Sequence, residues 1–183
     1  VANDYDDANY NIESIVYQYN NETAVFTVFQ KINTTGAVDW EHFSVGGVDF
    51  LAVANVYNGS SYQIMSVVYR YNTSTSQFEL MQEFETKGAL DWEHFHIGNI
   101  DFLAVANYYD GTTFEVMSTV YRYNRSTEVF DRFQDIRTNA STDWEYFRIG
   151  SEHFIAAAFF SDGTTFAVRS VVYRYNNSTQ EFQ

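Results

Sequence analysis

The sequence predicts an all-β fold: a β-propeller of four-stranded antiparallel blades. Three observations lead there, namely a 52-residue repeat, four strand-like runs inside each repeat, and alanines at one fixed place in it. Trp40, Trp92 and Trp144 stand 52 residues apart, and Tyr17, Tyr69, Tyr121 and Tyr173 keep the same step. A unit this short cannot bury an apolar face alone, so repeated units of several strands stack around an axis. A β-solenoid coil is usually shorter than this period.

The first run is apolar, Leu51-Ala52-Val53-Ala54-Asn55, and recurs as Leu103–Asn107 and Ile155–Phe159. The second alternates, as in Val67-Val68-Tyr69-Arg70-Tyr71, and so does the third, with Phe26, Val28 and then Gln30. The fourth carries the tryptophan: Asp39–Phe43 and Asp91–Phe95 read DWEHF, and Asp143–Phe147 reads DWEYF. Turn residues separate the runs: Asn58-Gly59, Asp110-Gly111 and Asp162-Gly163 after the first, and Asn/Ser/Thr clusters after the second. No stretch keeps helical spacing. The 17 Phe and 15 Tyr suit a pleated surface packed on both faces.

Blades converge on their axis, so small side chains are expected innermost. Ala52, Ala54, Ala104, Ala106 and Ala156 to Ala158 meet that need, which makes the alanine run the inner strand and the tryptophan run the outer one. The blades then fall at 1–48, 49–100 and 101–152, with a partial blade at 153–183, about three and a half in all. Val1-Ala2-Asn3 matches the end of the alanine run, so the sequence enters partway through a repeat. An open ring exposes inner strands and aromatic faces. The expectation is therefore part of a longer chain, with a ring of two copies as the second choice.

Charge narrows the partners. The formal net charge is −14, which repels nucleic acid and anionic membranes. Acidic side chains are concentrated in residues 1–120, so a cation or a basic partner surface senses the early repeats more strongly. No apolar run approaches the roughly 20 residues of a membrane-spanning helix, and no signal-peptide pattern opens the sequence. There is no cysteine, hence no disulfide or thiolate metal site.

The motifs resemble the epilepsy-associated repeat, also called the epitempin repeat. The residues that carry the resemblance are Gln30-Lys31-Ile32-Asn33-Thr34, Gly36-Ala37, Asp39-Trp40-Glu41-His42-Phe43, Val45-Gly46 and the Asp49–Asn55 run DFLAVAN, with Gln134–Thr138 repeating the start. The resemblance covers essentially the whole chain. It implies a seven-bladed propeller in secreted or cell-surface proteins that bind other proteins, with no catalytic activity.

Sequons of the form N-x-S/T occur at Asn21, Asn33, Asn58, Asn72, Asn124, Asn139, Asn176 and Asn177. All are expected in turns, which predicts N-glycosylation and a secretory route. Turns are rich in Asn, Ser and Thr in any case. Asp49 and Asp101 precede the alanine run, with His153 in the third unit. If they converge at a channel mouth they repel one another unless a cation intervenes, and calcium takes such oxygens. The resemblance makes a channel calcium plausible; the alternative is backbone hydrogen bonding at a tight turn. Asn3, Asn55 and Asn107 end the same strands, as strand-end hydrogen-bonding groups or as a lining of the other mouth.

His94 and His96 share a strand face, as a zinc pair would, but no third ligand is evident and His94 is replaced by Tyr146 in the next unit, which points to packing. The Asp-Trp-Glu carboxylates, placed on outer strands, are not expected to converge as a glycosidase pair. Tyr57, Tyr108 and Tyr109 flank the first turn and suit stacking on a sugar or anchoring a protein partner. The functional expectation is an extracellular protein-binding or adhesive module. The alternatives are a carbohydrate-binding protein with a site per blade and a structural component of a matrix or filament. No enzyme is expected, since no nucleophile–base arrangement or phosphate loop is present.

Overall fold

The computed structural model describes every residue, Val1–Gln183, and contains fourteen strands and no helix. A two-stranded sheet pairs β1 (Asn11–Asn20) with β2 (Val25–Thr35). A four-stranded sheet follows, in the order β3 (Ala37–Val45), β4 (Val48–Asn55), β5 (Gln63–Asn72), β6 (Gln77–Lys87). The next is β7 (Ala89–Ile97), β8 (Ile100–Asn107), β9 (Glu115–Asn124), β10 (Val129–Asn139). The last is β11 (Ser141–Ile149), β12 (Glu152–Phe159), β13 (Val171–Asn176), β14 (Glu181–Phe182). Every pairing is antiparallel and between sequence neighbours, as the turn signals require. These sheets are propeller blades, and the chain does not close a ring.

The radial order is the reverse of the expectation. The tryptophan strands β3, β7 and β11 pack closest to one another, whereas β6 and β10 scarcely touch. The tryptophan strand is therefore innermost and the alanine strand second. The physical reason is where the bulk goes. Trp92 does not fill an outer gap; it leans sideways from β7 onto β4 of the preceding blade, and its Nε1–H donates to Val53 O at 3.0 Å. Trp144 does the same to Val105 O. Ala52 and Ala54 are flat enough to receive Trp92, Leu103 and Val105 in one apolar cluster. The alanines thus answer to blade-to-blade packing, not to crowding at the axis.

The sheets also cut the repeat elsewhere than at 49, 101 and 153. Each blade opens at the tryptophan strand, just after Gly36, Gly88 or Ala140. The chain therefore holds the outer pair of one blade, two blades with four full strands, and a third whose last strand has two residues. The hinge residue carries the chain from the outermost strand of one blade to the innermost strand of the next. It has positive φ (Gly36 +58°, Gly88 +58°, Ala140 +49°). A Cβ on Gly36 would collide with the backbone carbonyl of Tyr57, so only glycine fits there.

Two further devices repeat. In the turns joining the third and fourth strands, the strand-end asparagine folds the loop onto itself. Asn124 Oδ1 accepts the N–H groups of Ser126 and Thr127, and Asn20 and Asn176 act likewise. Between those strands a buried hydroxyl pair, Ser66–Thr86 or Ser118–Thr138 at 2.9 Å, is satisfied within the sheet. Ser66 Oγ also accepts the N–H of Asn55, and Ser118 Oγ that of Asn107. Asn55 and Asn107 are strand-end hydrogen-bonding groups, each donating Nδ2–H to the methionine carbonyl opposite.

Candidate functional site: the axial channel and its aromatic mouth

Because the tryptophan strand is innermost, the Asp-Trp-Glu carboxylates that were expected to stay apart face one another along the axis. Asp91 lies in the field of Asp39 and Asp143, and Glu93 in that of Glu41 and Glu145. Burial, reinforced by these like charges, pushes Asp91 up to about 8 and Glu93 up to about 7. Asp39 and Glu41 are also raised, chiefly by burial. The same groups tie blades together. Trp144 N–H donates to Asp91 Oδ2 at 2.9 Å, Tyr146 N–H to Glu93 Oε1 at 2.8 Å, and His94 N–H to Glu41 Oε1 at 3.3 Å. One oxygen of each acid is thus committed to the neighbouring blade, a structural duty that leaves the carboxylates unpaired by any cationic side chain.

Asp49 and Asp101 occupy the second strand, at the opposite end from the mouth described below. Each is held locally. Asp49 accepts from Ser44 Oγ at 2.5 Å and from His42 Nε2 at 3.3 Å. Ser44 is the first cause of its lowered pKa. Asp101 is buried and paired with Arg125 Nη2 at 2.6 Å, with His94 Nε2 at 3.4 Å on its other oxygen. His153, in the third blade, meets Tyr146 Oη at 2.7 Å. No three acidic or histidine side chains are gathered as ligands for a metal ion, and Asp49 and Asp101 are each engaged by partners of their own blade. His94 lies flat on Phe43 of the preceding blade (4.5 Å, 10°), as Tyr146 lies on Phe95 (5.0 Å, 9°). That shared stacking explains why tyrosine replaces histidine.

The mouth lies where the innermost strands begin and the alanine strands end. Register shifts at Ala37/Asp39, Ala89/Asp91 and Ser141/Asp143 leave Val38, Leu90 and Thr142 as bulge residues. A bulge re-aims a side chain, and Leu90 and Thr142 line the mouth. With Tyr10, Tyr57, Tyr62, Tyr108 and Phe160 they enclose a depression of about 450 Å³, rimmed by Asp4. The rings form a chain across blades: Tyr10 to Tyr57 at 5.2 Å, Tyr57 to Tyr62 at 4.5 Å and Tyr62 to Tyr109 at 5.0 Å. Beyond these, Tyr109 meets Phe114 at 4.5 Å and Tyr108 meets Phe160 at 6.0 Å. Tyr57, Tyr108 and Tyr109 were visible in the sequence; Tyr10, Tyr62 and Phe160 were not singled out. The signal for Tyr10 and Tyr62 was the aromatic that follows each first turn by a fixed step, Tyr10, Tyr62, Phe114, Phe166, and Phe160 stands one repeat after Tyr108.

The sequons divide between the two faces. Asn21 and Asn177 sit in turns joining the third and fourth strands, and Asn72, Asn124 and Asn176 end the strands that enter those turns, all on the face away from the mouth. Asn58 is in a mouth-side loop. Asn33 and Asn139 lie within β2 and β10 rather than in turns. In the sequon at Asn139 the hydroxyl residue, Ser141, is buried at the start of the innermost strand, and in that at Asn33 it is Thr35, half-buried at the end of β2.

A repeated four-stranded antiparallel sheet, packed blade on blade with acidic innermost strands, defines a β-propeller-type repeat protein. The EPTP domain matches residues 25–72, 77–124 and 129–176, and the chain belongs to that family. Each match starts on the outermost strand of one blade and ends on the third strand of the next, so the sequence unit straddles two sheets. Among relatives, the thrombospondin-type laminin G domain and EAR repeat-containing protein of Mus musculus is 44% identical over 88% of this chain, and that of Homo sapiens 43%. The chain spans 33% of the length of each. Leucine-rich glioma-inactivated protein 1 of Pongo abelii is 22% identical over 86% of this chain and 26% of its own length.

Proposed function

We propose that the chain is an extracellular, N-glycosylated binding module that recognises a protein partner through the aromatic mouth. The observation that carries this reading is the mouth itself: Tyr10, Tyr57, Tyr62, Tyr108 and Phe160 are gathered from successive blades around one depression. Amphipathic rings held on stiff sheets cost little conformational entropy to bind with, and tyrosine is a frequent anchor of protein interfaces. Five of the eight sequons are on the face away from the mouth, where glycans leave the rings uncovered, and this distribution supports the secretory reading. The carboxylates near the axis serve as inter-blade acceptors, which agrees with recognition rather than turnover.

A carbohydrate is the second reading, favoured by the recurrence of one tyrosine position in successive blades, Tyr5, Tyr57 and Tyr109. The test is binding of the secreted chain to the surface of animal cells, before and after enzymatic removal of cell-surface protein and, separately, of cell-surface glycan. Protease-sensitive, glycosidase-resistant binding that is lost in Tyr57→Ser/Tyr108→Ser supports the protein reading. Glycosidase-sensitive binding overturns it in favour of the sugar.

A further inference from the structure

The repeat places one tyrosine in three similar settings with different charge environments. Tyr5, Tyr57 and Tyr109 each follow the asparagine that ends an alanine run by two residues. Each ring packs on the aromatic five residues later: Tyr5 on Tyr10 at 4.6 Å, Tyr57 on Tyr62 at 4.5 Å, Tyr109 on Phe114 at 4.5 Å. The next residue folds each loop the same way. Asp6 Oδ1 accepts the N–H groups of Ala8 and Asn9, Asn58 Oδ1 those of Ser60 and Ser61, and Asp110 Oδ1 those of Thr112 and Thr113.

The flanks differ. Tyr57 stands between Val56 and Asn58-Gly59, and Tyr109 between Tyr108 and Asp110-Gly111. Tyr5 stands between Asp4 and Asp6-Asp7, and no lysine or arginine occurs before Lys31.

We propose that Tyr5 is a site of tyrosine O-sulfation. This rests on the extracellular reading above, because it places the chain in the secretory route. A transferase that handles a sulfated nucleotide binds its anionic donor with basic side chains, and the same positive cleft favours an acceptor flanked by carboxylates. The donor is an adenylyl sulfate, a mixed sulfate–phosphate anhydride. The phenol oxygen of Tyr5 forms the new O–S bond while the bond from sulfur to the bridging phosphate oxygen breaks. The nucleotide leaves with that electron pair, and the phenolic proton passes to a base of the transferase. No oxidation state changes. The ester adds a fixed negative charge beside Asp4 at the rim of the mouth.

The experiment has two arms. In the first, the purified 183-residue chain is incubated with a soluble tyrosylprotein sulfotransferase and labelled adenylyl sulfate donor, and the phosphatase-resistant label is mapped by mass spectrometry. Label is expected on Tyr5 alone and is absent from Tyr5→Phe. In Asp4→Asn/Asp6→Asn/Asp7→Asn the initial rate falls about tenfold or more, the scale of one lost charge-assisted contact. That variant keeps the loop, since Asn58 performs the same cap in the next blade. An unlabelled Tyr5 beside a sulfated control peptide overturns the proposal, as does equal label on Tyr57 or Tyr109, or an unchanged rate in the triple variant.

In the second arm, the chain is expressed in animal cells with a signal peptide. Sulfate on Tyr5 of the glycosylated, secreted chain supports the proposal, and a secreted, glycosylated chain without it overturns the proposal. A chain that enters the medium bearing no glycan, yet is sulfated in the first arm, counts against the glycosylated extracellular reading alone.

Discussion

The side-chain amide of Gln82 closes a two-bond ring on the backbone of Phe130: Nε2–H donates to Phe130 O at 2.9 Å and Oε1 accepts Phe130 N–H at 2.8 Å. Gln30 holds Phe78 and Gln134 holds Phe182 in the same way. Each glutamine therefore joins the outermost strand of one blade to that of the next, where the blades diverge and apolar contact thins out. Gln82→Ala is expected to destabilise the chain by about 2 kcal/mol, because both polar groups of Phe130 lose their partner. Urea unfolding at equilibrium measures it. A change below a few tenths of a kcal/mol would mean that water replaces the clamp without cost.

Trp92 is the corresponding tie near the axis. Its ring is fully buried and its Nε1–H reaches Val53 O in the preceding blade. Trp92→Phe keeps an aromatic ring but leaves a void and an unpaired carbonyl, and is expected to cost about 2–3 kcal/mol. The equivalent Trp40 is only half-buried and donates no such bond, so Trp40→Phe should cost clearly less. Thermal unfolding of the two variants side by side checks the difference; equal losses would contradict the inter-blade role.

These two contacts show what the sequence made legible. Strand content, the four-run repeat and the turns were readable because alternation and Asn-Gly or Asp-Gly signals are local. Radial order was not, since Ala52 and Ala54 suit either a crowded axis or a flat seat for Trp92, and only the partner across the blade interface distinguishes them. Inverting the order also hid the convergence of Asp39, Asp91 and Asp143. Gln30 and Gln134 were visible as repeated letters, but their targets lie 48 residues away on another sheet and carry no side-chain signature, because the bonds are to backbone.

Asp101 offers a separate test of the calcium expectation. Its carboxylate is buried against Arg125 and His94. Asp101→Asn should lower stability by about 1–3 kcal/mol by leaving Arg125 without its partner. Asp49, bonded to Ser44 and His42 on a half-exposed surface, should tolerate Asp49→Asn with little change. Both effects are expected to be the same with and without calcium, read as melting temperature before and after chelation. A loss that disappears once calcium is chelated would restore these residues as metal ligands.

The axial acids set a pH dependence of definite sign. Asp91 is raised to about 8 and Glu93 to about 7, against about 3.9 and 4.3 in an unfolded chain. Between those values the folded chain binds more protons than the unfolded one, so stability declines as pH rises from about 4 to about 8. The groups facing Asp91 are Asp39, Asp143 and Glu93, all acidic, and the Trp144 N–H, so no cationic side chain offsets the trend. Histidine works the other way: burial lowers His94 and His153, which removes stability as pH falls below about 6.5. The difference between variant and parent isolates the acid. Asp91→Asn keeps an oxygen for Trp144 N–H but cannot ionise, so it should gain about 1–2 kcal/mol relative to the parent at pH 8 and little at pH 4. Urea unfolding across that range checks it, and a gain that does not grow with pH would mean that neither burial nor the neighbouring carboxylates raise Asp91.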